Sequence, residues 1–304
     1  VDESVNNKDS LEMKKPNWKT LHEFLQTDDT VAPLQSPYCG GTTAGMKQFQ
    51  SFLTTGLAKY DKLRNDPNCP NNTSHISPWV NFGHVSFQRL AITIRALDKY
   101  PSATAGFIEE GVVRRELSDN FLFYTEEYDS IEGAAAGWAR ESLELHSSDD
   151  REWVYDKEEL EGGKTHDDLW NASQMQLVAE GKLHGFLRMY WAKKILEWTP
   201  SPQKALSYAQ YFNDKYALDG NDPNGYVGVG WSIMGIHDMG WKERPIFGKI
   251  RFMNYNGCKR KFKVDHFVGK YPGAKETAMK VMGRKSQGSI TDGAAGKKRK
   301  RAVE

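Results

Sequence analysis

Cysteine is scarce in this chain. Cys39, Cys69 and Cys258 are the only three in 304 residues. They form neither a paired disulfide framework nor the close spacing of a zinc site, so they read as reduced thiols of an intracellular protein. Net charge is equally sparse, because 41 lysines and arginines against 40 acidic residues leave +1. That excludes a whole-chain electrostatic footprint for nucleic acid, and any DNA surface has to be a local patch. No apolar run approaches about 18 residues, so no membrane span is expected. The βαβ alternation of a parallel sheet is missing. A P-loop, a Ser–His–Asp order and metal-ligand spacing are missing too, and with them goes the support for a hydrolase or a metalloenzyme. The first residues, VDESVNNKDSLEMKK, have no start methionine and no apolar signal region, and read as the middle of a longer protein cut at a linker.

Aromatic residues, by contrast, make up 12% of the chain beside 27% charged residues, a globular and aromatic-rich composition. Phe49, Phe52, Leu53, Leu57 and Tyr60 form a helical stripe over 46–65. Residues 79–101, 103–126, 129–146 and 202–216 read as further helices, and another closes at Thr199-Pro200, since proline cannot continue it. DGNDPNGYVGVG (219–230) reads as a glycine-rich loop. The expected fold is all-α: a linker over 1–45, a helical domain over 46–271 and a disordered basic tail over 272–304. The tail ends in KKRKR (297–301), which fits a solvated tail, a nuclear-import signal or a DNA-tethering arm.

The segment 164–198 holds Trp170, Trp191 and Trp198 among helix formers. Trp191 and Trp198, seven apart, share a helical face roughly 10 Å apart along the axis. Such a row can fill a core or relay single electrons, because indole is among the few side chains oxidised by one electron, and spacing does not choose between the two. TSHISPWVNFG (73–83) sets hydroxyls and amides before a helix, suited either to a cap or to a phosphate. Arg188 and Asp219 are a candidate ion pair, with the neutral amide of Asn213 on the helix between them. Glu110 lies in a helix with an apolar face, and Trp231 follows VGVG, where missing side chains let a flat ligand approach. CKRKFK (258–263) reads equally as a DNA-phosphate contact or a solvated face.

The strings TSHISPWVNFG, LWNASQM, KLHGFLRMYWAKKILEW, YALDGNDPNGYVGVGWSI and GKIRFMNYNGCKRKF closely resemble class II cyclobutane pyrimidine dimer DNA photolyases over roughly residues 46–271. The resemblance implies an all-helical domain with U-shaped FAD at its centre, without the family's N-terminal α/β antenna domain. It implies that Tyr60, Thr73, Ser74 and Ser77 bind the FAD phosphates, that Arg188, Asp219 and the adjoining Gly220 lie beside the isoalloxazine, and that Asn213 faces flavin N5. Trp191, Trp170 and Trp198 match the photoreduction chain, in that order outward. Glu110, Met189, Trp231 and Trp241 match the dimer pocket, with Glu109 and Glu116 as alternatives to Glu110, and GAAAG (133–137) looks like a local loop insertion. The implied activity is light-driven repair of pyrimidine dimers in DNA by a monomer that carries reduced FAD. A cryptochrome-like photoreceptor without repair is the alternative.

Overall fold

A computed structural model describes residues 16–26, 28–34 and 38–285. The chain divides into two units, Val1–Pro33 and Leu34–Glu304. In the first, α1 (Trp18–Leu25) is capped by Asn17, whose side chain accepts the Thr20 amide at 3.4 Å. The KKRKR tail and the first 15 residues lie outside the described residues.

The second unit begins with α2 (Thr42–Thr55), α3 (Tyr60–Leu63), α4 (Ser77–Asn81), α5 (Phe87–Ala96) and α6 (Pro101–Ile108). A single π-helical turn, Glu109–Arg114, leads into α7 (Arg115–Tyr124), followed by α8 (Ile131–Ala134), α9 (Gly137–Leu145) and α10 (Lys157–Glu161). Then come α11 (Asp168–Glu180), α12 (Gly185–Trp198), α13 (Pro202–Tyr216), α14 (Pro223–Met234), α15 (Tyr255–Lys259), α16 (Val264–Val268) and α17, over 274–285. Among the described residues, β-structure is limited to one isolated bridge, Arg244 to Gly248.

Several helices are shorter than their periodicity predicts. The run 79–101 breaks at Gly83, and Asp98 and Tyr100 adopt left-handed backbone before Pro101 restarts the chain as α6. GAAAG is not one loop, since it spans the end of α8 and the start of α9. The glycine-rich stretch expected to be a loop is helical from Pro223, with Asp222 capping it by accepting the Asn224 amide at 2.8 Å. Its glycines answer to packing. A Cβ at Gly225 would sit 2.8 Å from Asn213 Nδ2, and one at Gly230 would sit 2.4 Å from Ile236 Cδ1. Absent side chains let α14 press against α12, α13 and α7, which outweighs the poor helix propensity of glycine. The expected tail also starts too early: α17 is helical over 274–285, Ala274 and Ala278 are buried, and Asn171 Nδ2 donates to the Ala274 carbonyl at 3.3 Å.

Two cores result. One gathers Phe49, Phe52, Tyr60, Trp79 and Phe107 from α2 to α6. The larger surrounds α11 to α14 and holds Trp170, Trp191, Trp198 and Phe212. The π turn sits against the smaller one because the Phe87 ring occupies the space beside Gly111, where a Cβ would meet Phe87 Cζ at 1.6 Å. Gly111→Ala should therefore lower stability by about 1–3 kcal/mol through overpacking, although alanine is ordinarily the better helix former. Thermal melting checks it: an unchanged or raised midpoint would mean that the Phe87 ring yields freely.

Candidate functional site

The two cores share the wall of a cavity of ≈ 310 Å³, within the range of about 300–1,000 Å³ found for small-molecule sites. Tyr60, Ile76, Phe87 and Phe107 line one part, and Leu183, Arg188 and Asp219 another.

Lys182, Arg188 and Asp219 form a part-buried charged cluster on its wall, which Glu110, Glu180, Arg115 and Asp222 also line. Asp219 accepts from Arg188 Nη2 at 3.1 Å and from Ser77 Oγ at 2.7 Å, and Lys182 donates to both Asp219 and Ser77. Burial on its own would raise the Asp219 carboxyl, but the Lys182 ammonium and the Arg188 guanidinium overcome it and hold that carboxyl well below the usual carboxylate range. Two cations around one carboxylate leave a single positive charge facing the cavity.

Two long helices add to that field. α12 starts at Gly185 with His184 as its cap, His184 Nδ1 accepting the Phe186 amide at 3.2 Å, and α14 starts behind Asp222. His184, Gly185, Asp222, Asn224 and Gly225 all line the cavity. Helix N-termini favour negative charge and offer amides to it. Arg115 faces the same space, with Nη1 3.6 Å from Asp222 Oδ2. Burial depresses His75, and it lowers His184 to about 4, so both rings are neutral near pH 7 and serve as uncharged hydrogen-bonding groups. Burial raises the Tyr60 phenol to about 12, which keeps it protonated.

Of the residues singled out from sequence, Tyr60, Thr73, Ser74, Ser77, Glu110, Arg188 and Asp219 line this cavity. Thr73 Oγ1 donates to the Pro70 carbonyl at 3.0 Å, and the Ser74 carbonyl accepts from Gln48 at 2.9 Å. Asn213 does not line it. It is buried behind Gly225, and Nδ2 donates to Asp214 at 3.1 Å. Gly220 does not line it either. Its carbonyl accepts from Asn81 at 3.0 Å, and a Cβ there would meet the Asn213 carbonyl at 2.8 Å and the Ala217 carbonyl at 2.9 Å. Glu110 lies on the π turn, where Arg64 Nη1 donates to its Oε1 at 2.6 Å. The alternatives Glu109 and Glu116 point elsewhere, Glu109 pairing with Arg114 at 3.0 Å and Glu116 lining a separate cavity.

The three tryptophans form one continuous column. Trp191 and Trp170 stack with centroids 6.4 Å apart and planes 5° apart, and Trp170 meets Trp198 at 5.8 Å, edge-on. Trp170 Nε1 donates to the Trp191 carbonyl at 3.0 Å and Trp191 Nε1 donates to Gln174 at 2.8 Å. The column stands in the larger core. It belongs to two helices, α11 and α12, rather than one, and Arg188 on α12 carries its inner end toward the cavity.

Met189, Trp231 and Trp241 lie outside the cavity and are partly exposed. The Arg114 guanidinium stands 5.5 Å from the Trp231 centroid, and that of Arg251 stands 4.2 Å from the Trp241 centroid.

Sequence reasoning missed Lys182, His75, Arg115, Asp222 and Gly225. The signal for Lys182 was its place in EGKLHG, just ahead of the His184-capped helix. Its partner Asp219, 37 residues later, could not be read from local pattern.

No family model matches the chain. A deoxyribodipyrimidine photo-lyase from Potorous tridactylus is 53% identical over 262 residues, covering 86% of this chain and 49% of that protein. A deoxyribodipyrimidine photo-lyase from Oryza sativa subsp. japonica is 57% identical over 218 residues, covering 71% of this chain and 43% of that protein. The chain thus spans about half the length of the curated relatives it matches. Among solved structures, a class III photolyase from Agrobacterium tumefaciens shares the fold, with a TM-score of 0.59 at 18% identity over 85% of this chain and 48% of that one. At these sequence identities the chain is related to the deoxyribodipyrimidine photo-lyases over most of its own length, and it shares the helical fold of a solved photolyase.

Proposed function

We propose that the chain carries the flavin-binding, catalytic half of a class II photolyase and repairs cyclobutane pyrimidine dimers in DNA under light. The observation that carries this reading is the 53% identity to a deoxyribodipyrimidine photo-lyase over 86% of the chain. The site supplies chemistry of the matching kind, and no observation favours a signalling flavoprotein over a repair enzyme.

FAD is the cofactor the cavity suits. Its phosphates need donors, which the Ser74 hydroxyl, the amides of two helix N-termini and the Lys182 and Arg188 side chains would provide, with the Thr73 and Ser77 hydroxyls able to turn from their present acceptors. Gly225 leaves room for the Asn213 amide behind it, a group that can donate or accept without titrating. Bound here in its reduced form, FAD would supply the light-driven electron. The protein's own residues do the rest. Trp191, Trp170 and Trp198 give a dry path for electrons between the cavity side and the far side of the core. Glu110, which accepts from Arg64, would accept from an imide N–H of the dimer, while Met189, Trp231 and Trp241 would offer apolar walls. The dimer has to leave the stack to reach them, and damaged bases cost less to extrude.

The first test is a light-against-dark repair assay on DNA holding dimers, with the flavin reduced beforehand. Light-dependent loss of dimers is expected, and bound FAD without any repair would sink the reading for this chain. Trp191→Phe should block photoreduction of oxidised flavin and spare repair by chemically pre-reduced protein. Equal loss of both would give Trp191 a different role.

Asp219→Asn leaves Lys182 and Arg188 buried without their counter-charge, at a cost of about 3–5 kcal/mol, and should also abolish FAD retention. The pH dependence has a fixed sign. The folded carboxyl titrates below its unfolded value of about 4, so the Asp219 contribution is complete above that pH and fades as pH falls below it. The gap in melting temperature between wild type and Asp219→Asn should narrow in acid. A gap that widens there would contradict the assignment.

A further inference from the structure

Two of the candidate substrate residues carry an arginine on their rings, and the two arginines are held very differently. Arg251, over Trp241, is fixed by Asp238 through two hydrogen bonds of 3.0 Å, and the Asp238 side chain is 5% exposed. Arg114, over Trp231, is tied to Glu109 Oε1 at 3.0 Å, and both side chains are nearly half exposed, at 44% and 43%. An exposed ion pair is weak, and a guanidinium 5.5 Å from a ring centroid is near the outer limit of a cation–π contact. Arg114 is therefore a cation that is cheap to move.

Its direction follows from its place in the chain, where the π turn passes into α7. Successive arginines there go to different sides: Arg115 turns into the cavity toward Asp222, and Arg114 turns out to Trp231. Glu110, on the same turn, lines the cavity. Trp231 itself belongs to a short aromatic shelf. The His237 ring lies 6.2 Å from it at 29°, and Phe121 meets His237 edge-on at 5.6 Å. A partly exposed indole beside a loosely held guanidinium matches the two needs of an unstacked nucleotide: a surface for the base and a cation for the phosphate.

We propose that Arg114 is a DNA-phosphate contact. In the free protein it covers Trp231, and when DNA docks it exchanges Glu109 and the indole ring for a phosphodiester oxygen, opening the Trp231 face to a base. The proposal rests on the reading of the chain as a DNA-binding photolyase and deepens it.

The test is the salt dependence of DNA affinity, measured with flavin-loaded protein on one duplex with and without a single cyclobutane dimer, between about 50 and 200 mM salt. Arg114→Gln should bind about tenfold more weakly at the low-salt end. The slope of log K against log salt should shrink by about 0.9, the value for a single phosphate no longer neutralised. Arg114→Lys should restore the slope without the full affinity, because an ammonium binds phosphate as a point charge but lacks the guanidinium fork. Trp231→Phe should change affinity and leave the slope alone. A role for Arg114 confined to propping Trp231 would behave like Trp231→Phe, so an unchanged slope in Arg114→Gln overturns the proposal. If wild type shows no preference for the dimer duplex, the repair reading fails. The slope on undamaged DNA still decides Arg114: a reduced slope supports the phosphate contact, and an unchanged one overturns it.

Discussion

The carboxylate of Asp219, buried between Lys182 and Arg188, is the constraint around which the cavity is organised. It draws together the turn before α14, the entry to α12, and Ser77 at the start of α4. Ser77 neighbours the smaller core and Arg188 the larger, so one charged cluster joins both. Breaking a buried pair by removing one partner costs far more than forming it contributes. These three side chains therefore hold the cavity in one arrangement more than they add net stability. Asn81, which donates to the Gly220 carbonyl at 3.0 Å, ties the same turn to α4 a second time.

Beside this cluster, the tryptophan column has a packing compatible with both uses that spacing left open. As core, Trp170, Trp191 and Trp198 are 0–2% exposed, and truncating any of them to alanine should cost about 3–5 kcal/mol. As a relay, they touch one another in series, and the two inner indole N–H groups are already hydrogen-bonded. The two readings describe one arrangement, because rings packed well enough to fill a core are also near enough to exchange an electron. The polar residues in and just before LWNASQM support it from behind. Gln174 accepts from Trp191, Asn171 exchanges hydrogen bonds with Thr165, and Asp167 caps α11 while accepting from Tyr190.

Legibility in the sequence followed the range of the forces involved. The end of α12 at Trp198 and the span of α13 were readable, because Thr199-Pro200 and the Ser201 cap act within a few residues. The helical character of 223–234 was not, since four glycines in 219–230 signal a loop unless one knows that Asn213 and Ile236 need their missing side chains. The packing of the π turn was hidden for the same reason, since the ring that fills the space beside Gly111 belongs to a phenylalanine 24 residues earlier (111 − 87). Hydroxyls in TSHIS and the Arg188–Asp219 pair stood out as residue types. Lys182 did not, because its meaning lies in a partner distant along the chain.

The chain sets dry and wet chemistry apart on one pair of helical elements. α12 buries Trp191 and Trp198 yet leaves Met189 40% exposed, and α14 presents Gly225 to the cavity and Trp231 to the outside. The π turn makes the same division within six residues, with Glu110 on the cavity wall and Arg114 beyond it. Electron transfer benefits from rigid, water-free packing, whereas a polymer substrate has to be met by side chains that still have somewhere to move. Under the proposed function, placing both on the same helices spares one set of residues from being both immobile and adaptable.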